Sequence, residues 1–316
     1  MTTAEGQRLP PEESAVTVKG LTRAFGDFRA VDGIDLTVAK GEVFGFLGPN
    51  GAGKSTTIRM LCGLLTPSAG TGTVGGFDIM KQSEEIKKHI GYMSQRFSLY
   101  DDLTIEENID FFSGIYGVAD EKRKERKEWV LDMAGIGEKR KSITRTMASG
   151  FKQRLALGCA VIHEPPIIFL DEPTSGVDPI SRRRFWNLIY EMSSRGTTVF
   201  VTTHYLDEAE YCDRLALIYR GRIIAEGRPD AMKKEHMHKE ILEVAVFDIV
   251  AGLDVLGRKG FDVALFGNVI HATVDKGESA IPAIHSALTE ANIPVANVTV
   301  VRPSLEDVFV SLIEVS

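Results

Sequence analysis

Apolar and polar residues alternate along AVTVKGLTRAF, Ala15 to Phe25, the period-two pattern of a strand with one buried face. GEVFGFLG is a compact apolar run closed by glycine, as a buried strand entering a turn would be. KSTTIRMLCGLL then spaces Ile58, Leu61 and Leu65 on one helical face. Between about 100 and 145 the pattern is mostly helical. Thr104 and Glu107 stand as a capping box ahead of IDFFSGIY, and EKRKERKEWVLDMAGI carries Trp129, Val130 and Met133 at helical spacing under a solvated charged face. PIIFLDEP and GTTVFVTTH read as strands with a helical stretch between them. Strands alternating with helices predict an α/β fold with a mainly parallel sheet covered by helices.

The pattern changes near residue 235. EILEVAVFDI, VAGLDVLGRKG, FDVALFG, NVIHATV, ESAIPAIHSALTEAN and VANVTVV read in order as β-α-β-β-α-β, and SLEDVFVSLIEV as a closing helix. That order is the split ferredoxin-like pattern. The expected organisation is a loose tail over 1–14, a large domain over 15–235 and a small α+β domain over 236–316.

Composition narrows the classes. The chain has 316 residues, 43% hydrophobic and 26% charged, enough for a real core. Its net charge of -7 argues against nucleic acid as a main partner. Cys62, Cys159 and Cys212 form no C-x-x-C pair, so reduced, buried thiols are expected rather than a disulfide framework or a zinc site. The polar N-terminus lacks a signal peptide's apolar core. No run reaches the roughly 18 to 20 apolar residues a membrane helix needs.

The chemistry concentrates in two places. GPNGAGKST, comprising Gly48, Pro49, Asn50, Gly51, Ala52, Gly53, Lys54, Ser55 and Thr56, fits G-x-x-x-x-G-K-[ST] between a predicted strand and a predicted helix. Glycines let successive backbone N–H groups face an anion. Lys54 would add a point charge at the β- and γ-phosphates of a nucleotide, and Ser55 a hydroxyl for Mg²⁺. IIFLDEP ends a buried strand with Asp171 facing the metal through water and Glu172 placed to polarise an attacking water.

With these motifs together, the chain resembles the ATP-binding cassette of ABC transporters over residues 15 to about 230. Gln95 in YMSQRFSLYDDLT matches the family's Q-loop, Asp178 in SGVDP its D-loop and His204 in VFVTTH its switch histidine. Phe25 stands where an aromatic ring stacks on adenine. The resemblance implies a P-loop NTPase core with a helical subdomain, a catalytic set of Glu172, His204 and Gln95, and metal contacts from Ser55, Gln95 and Asp171. It implies a second cassette, homo- or heterodimeric, and a membrane-spanning permease subunit. The segment Arg96 to Leu103 would receive that subunit's coupling helix. Phe97, Leu99 and Tyr100 fit either such a groove or plain core packing.

The signature loop departs from the family's L-S-G-G-x-x-Q-R. Aligned on Gln153 and Arg154, it reads Met147, Ala148, Ser149, Gly150. The resemblance implies a loop acting on a phosphate held by the partner cassette, where the hydroxyl missing at Ala148 would remove a charge-assisted hydrogen bond worth roughly 1.5 to 3 kcal/mol. Two readings of Ser149 stay open: a hydroxyl supplied from one position along, or a helix N-cap. RPSLEDVFVSL, Arg302 to Leu312, is similar to the tail of cassettes from bacterial multidrug-type exporters. The expected protein is a cytoplasmic ATPase subunit, peripheral on the inner face of the cell membrane, powering export. An importer cassette, a soluble single-cassette ATPase and an ATP-holding regulatory module are the rival readings.

Overall fold

The computed structural model describes residues 13–95, 99–237 and 239–315. They fall into two compact units, Met1–Pro229 and Asp230–Ser316.

In the first unit, the runs that alternate on neither face become the central sheet. Strands β3 (Val43–Leu47), β6 (Ile90–Met93), β7 (Ile167–Asp171), β8 (Thr198–Thr203), β9 (Arg214–Tyr219) and β10 (Arg222–Gly227) are ordered β10-β9-β3-β8-β7-β6. All neighbours pair parallel except β10, which returns antiparallel to β9. Every residue of β3, β7 and β8 is buried, because apolar layers cover both faces.

One layer holds Phe44, Phe46 and Phe169 around Phe200, each ring centroid 5.5 Å from it. It packs under α1 (Lys54–Leu61), α2 (Ser83–His89) and a second sheet. That sheet, β1 (Ser14–Phe25), β2 (Phe28–Ala39), β4 (Ala69–Val74) and β5 (Phe77–Asp78), is antiparallel in the order β2-β1-β4-β5. The sequence pattern foresees only β1 of it. On the other face Val43, Ile168, Leu170, Val199 and Val201 meet α5 (Ser149–Ala160) and α6 (Pro179–Ser194).

A third core joins α3 (Ile105–Ile115), α4 (Asp120–Ala134) and α5 as a helical subdomain. The Thr104–Glu107 capping box is present in full. Asn108, fully buried, bonds the backbone of Tyr100 and Thr104 and the Thr144 hydroxyl, fixing the loops at the foot of α3. The three cysteines are free and buried.

The second unit begins within α7 (Pro229–His236). It contains β11 (Glu240–Val246), α8 (Ile249–Arg258), β12 (Asp262–Phe266), β13 (Val269–Val274), α9 (Gly277–Glu290), β14 (Val295–Val301) and α10 (Leu305–Val315). The sheet order β12-β13-β11-β14 is antiparallel throughout, the ferredoxin-like arrangement that the element order predicts. Its core lies between one sheet face and α8 and α9.

His163, just before β7, stacks on Tyr116 with ring centroids 4.0 Å apart. Its Nε2 lies 3.1 Å from the Ile90 carbonyl, which places the proton there, and its buried Nδ1 has no partner among the described residues. Burial pushes its pKa from 6.5 down to about 4. The unfolded chain therefore binds a proton that the folded chain refuses. The neutral ring's contribution is complete above pH 6.5 and is lost as pH falls toward 4. His163→Phe keeps the stacking and removes the titration. In urea unfolding midpoints measured from pH 7 to 4, the variant is expected to lose stability less steeply than the wild type.

Candidate functional site

The loop between β3 and α1 is shaped by what surrounds it. A Cβ on Gly48 would meet the Ile218 carbonyl oxygen at 2.2 Å, and one on Gly53 the Ala30 oxygen at 2.5 Å. Gly53 also holds φ 112°, a left-handed value that other residues resist. Ala52 is buried, Pro49 half-buried, and Asn50 and Gly51 face solvent. From this turn Lys54 enters α1 with only 4% of its side chain exposed. Its ammonium donates to the carbonyls of Gly48 at 2.7 Å and Pro49 at 3.1 Å, and meets Glu172 Oε1 at 3.0 Å. Thr56, one turn into the helix, is half-buried.

The parallel register places the acidic pair opposite this loop. Asp171 pairs with Thr202 across β7 and β8. Asp171 Oδ1 accepts from the Ser55 hydroxyl at 2.9 Å and from the Thr202 hydroxyl at 2.9 Å. Burial raises its pKa, and the two hydroxyl bonds oppose that rise. Glu172, 6% exposed, sits at φ 47°, a conformation that costs a non-glycine residue roughly 1–2 kcal/mol. Its amide donates to Thr202 twice over, to Oγ1 at 3.0 Å and to the carbonyl at 3.1 Å, which holds the bend. The bend aims the carboxylate. Oε1 faces Lys54, while Oε2 lies 3.0 Å from Gln95 Nε2 and 3.1 Å from His204 Nδ1.

Lys54, Ser55, Gln95, Asp171, Glu172 and His204 are thus joined by direct bonds. Thr202, whose hydroxyl donates to the Asp171 carboxylate and accepts from the Glu172 amide, was not singled out by sequence reasoning. Its position two residues before His204 on a strand was the available signal. Arg182 was missed as well. Its guanidinium lies 4.2 Å from the Tyr205 ring, next to His204 in the chain, and its Nε is 3.3 Å from the fully buried Glu208.

Other expected residues lie outside this knot. Phe25 is half-exposed at the end of β1, with Arg23 over its ring at 4.6 Å. Asp178 caps α6 by accepting from the Ser181 amide at 3.0 Å, and bonds from Ser181 lower its pKa. Leu99 packs half-buried between two cores. Tyr100 stays 48% exposed against Phe111. Phe97 falls outside the described residues.

The signature loop corrects one expectation. The residue at the N-cap of α5 is Ala148, with φ -64° and ψ 149°, and no side chain caps the helix. Ser149 is already the first helical residue, so its hydroxyl is not the cap. Ala148 and Ser149 are exposed, and the first N–H groups of α5 are left without a side-chain cap. Gly150 is buried against α6, where a Cβ would come 2.5 Å from Ser181 Oγ. Gln153, fully buried, donates to the Pro173 carbonyl, directly after Glu172.

The cluster's donors are hard oxygens: a hydroxyl and a carboxylate in contact, with an amide nearby. Such a set suits Mg²⁺, which keeps several waters and takes few protein ligands.

Comparison with known proteins identifies the family. Residues 31–175 match the family described as ABC transporter, and residues 227–313 that described as ATP-binding protein DrrA1-3-like, C-terminal domain. A probable multidrug ABC transporter ATP-binding protein, YbhF of Escherichia coli, is 50% identical over 230 residues, covering 73% of this chain and 40% of its own length. The chain therefore spans well under half of that relative. Daunorubicin resistance ATP-binding protein DrrA3 of Streptomyces coeruleorubidus is 35% identical over 303 residues, 95% of this chain and 96% of the relative. A dimeric ATP-binding cassette in a post-hydrolysis state bound to ADP and Pi superposes with TM-score 0.61 and 26% identity, over 67% of this chain and 98% of that one.

If the Ser181 contact sets the loop's position, Gly150→Ala should push α5 from α6 and lower ATP turnover about tenfold or more, as small misplacements do. Adding Ser181→Gly removes the clashing atoms and should restore most of the rate. Steady-state phosphate release from the single and double variants measures both.

Proposed function

The chain belongs to the ABC transporter ATP-binding family, and from that premise we propose that it is the ATP-hydrolysing subunit of an exporter. The observation that carries this reading is the meeting of Lys54, Ser55, Asp171, Glu172, Gln95 and His204 at adjoining strand ends.

ATP would lie with its phosphates in the loop from Gly48 to Thr56, over the N-terminus of α1, where backbone N–H groups and the helix dipole favour an anion. Lys54 would turn from Glu172 to the β- and γ-phosphates. Its release leaves the Glu172 carboxylate held by Gln95 and His204 alone. Glu172 would then accept a proton from a water as the water's oxygen bonds to the γ-phosphorus and the bond to the β-phosphate oxygen breaks, giving ADP and phosphate. His204 would hold the γ-phosphate in line. Ser55 and Asp171 would hold Mg²⁺, which supplies positive charge to the phosphate oxygens. Phe25 would stack on the adenine.

A second cassette would complete the site. The start of α5, with Ala148 and Ser149 exposed and Gly150 buried behind them, would cap the γ-phosphate held by the other subunit, chiefly through backbone N–H groups. Asp178 would contribute to the same interface. The partner through the membrane would be a permease subunit; no described helix of this chain is long and apolar enough to cross a bilayer. Tyr100, Phe111 and Ile115, all exposed, would contribute to its docking groove. The chain would then sit on the inner face of the membrane. The relatives' names, multidrug and daunorubicin resistance, support export of a small drug-like molecule.

Glu172→Gln keeps the hydrogen-bonding shape and removes the base. It is expected to bind ATP normally while turnover falls at least about a hundredfold, measured by nucleotide titration and phosphate release. Turnover near the wild-type rate would remove Glu172 from the reaction. Ser149→Ala tests the substitute hydroxyl. A severalfold lower rate and weaker ATP-driven dimerisation are expected if that hydroxyl reaches the partner's phosphate. Unchanged values would leave the cap to the backbone alone.

A further inference from the structure

We propose that Arg182 is a positioning residue for ATP hydrolysis. Anchored by Glu208, it holds the Tyr205 ring and, through that ring, the His204 imidazole. The inference rests on the role given to His204 above.

The contacts run in series. His204 Nδ1 lies 3.1 Å from Glu172 Oε2. Its ring meets the Tyr205 ring with centroids 4.1 Å apart and planes 37° from parallel. Consecutive side chains of a strand point to opposite faces, so these two meet because the chain bends at His204, just past β8. The Tyr205 amide holds the bend by donating to the Thr203 hydroxyl at 3.0 Å. Arg182 brings its guanidinium 4.2 Å from the Tyr205 ring centroid, within cation–π reach.

Glu208 keeps that guanidinium in place. It is fully buried in the turn Leu206–Tyr211, and Arg182 Nε stands 3.3 Å from its Oε1. Neither Glu208 oxygen nor Arg182 Nε makes a well-directed hydrogen bond among the described residues, so charge and the Tyr205 face hold the arginine. Burial raises the Glu208 pKa, and the nearby Thr174 and Thr203 hydroxyls and Arg182 oppose that rise. Thr174 follows Glu172 by two residues, and Thr203 directly precedes His204. One carboxylate therefore lies beside the chain leaving β7, the end of β8 and α6. The Arg182 amide donates to the Asp178 carbonyl at 2.9 Å, which mounts the guanidinium on the first turn of α6. A shift of that turn would reach His204 through Tyr205.

The test measures steady-state ATP turnover by the full chain. Tyr205→Leu keeps the ion pair and removes the ring, and kcat is expected to fall about tenfold with KM for ATP little changed. Tyr205→Phe keeps the ring and should turn over ATP at the wild-type rate. Arg182→Met combined with Glu208→Gln removes both charges, so that neither is left buried alone. That double variant should slow turnover as Tyr205→Leu does, shift the His204 imidazole nitrogen resonances, and lose no further rate when Tyr205→Leu is added. His204→Ala, measured alongside, separates the two claims. If it turns over ATP at the wild-type rate, the role of His204 falls and this inference with it. If it is slow while Tyr205→Leu keeps the wild-type kcat, only the present inference is overturned. A raised KM with unchanged kcat, or unmoved His204 resonances in the double variant, also overturns it.

Discussion

A lysine and a glutamate, both nearly sealed from water, face each other at 3.0 Å where the glycine-rich loop meets the end of β7. Buried charges of this kind persist only when paired and hydrogen-bonded. Lys54 meets that condition with two carbonyls and Glu172, so all three of its donors are used. Glu172 meets it with Lys54, Gln95 and His204. The consequence is chemical as well as structural. Glu172, the proposed base, is neutralised by the same ammonium that a phosphate would attract, so in the proposed mechanism nucleotide binding and release of the carboxylate draw on one group.

That pairing depends on backbone placement more than on side-chain choice. Ser55 and Asp171 are 116 residues apart in the chain and share a hydrogen bond because β3, β8 and β7 run parallel side by side. Parallel strands end on one edge, and ligands of such sheets bind at that edge. Glu172 leaves the edge through a left-handed bend that Thr202 holds with its hydroxyl and its carbonyl. Strain is localised at the residue whose carboxylate must leave the line of the strand.

The altered signature loop follows the same logic. Ala148 removes a hydroxyl from the N-cap of α5 but leaves the helix's first N–H groups uncapped by any side chain. An anion site made of backbone needs only that the helix start be held in place. Gly150 against Ser181 and Gln153 on Pro173 hold it, and the second contact runs directly to the residue after Glu172. The start of α5, proposed to face the partner's phosphate, is thereby anchored to the end of β7 beside Glu172.

Much of this was legible in the chain. The P-loop, the acidic pair and the β-α-β-β-α-β order of the second unit depend on local spacing, which one sequence records. The antiparallel sheet of the first unit was mostly not legible. Its β4 reads AGTGTV, and Gly72 is there because Thr17 approaches too closely for a side chain, a fact about a distant strand. The helix start at Ser149 and the roles of Thr202 and Arg182 also depended on partners far along the chain. So did the pairing of His271 with Asp307, made only when α10 bonds the open face of the sheet. Sequence by itself determined which chemical groups the protein owns and the local conformations that carry them. Tertiary structure decided which of them meet, because strand order and register, not spacing along the chain, set distances across a sheet.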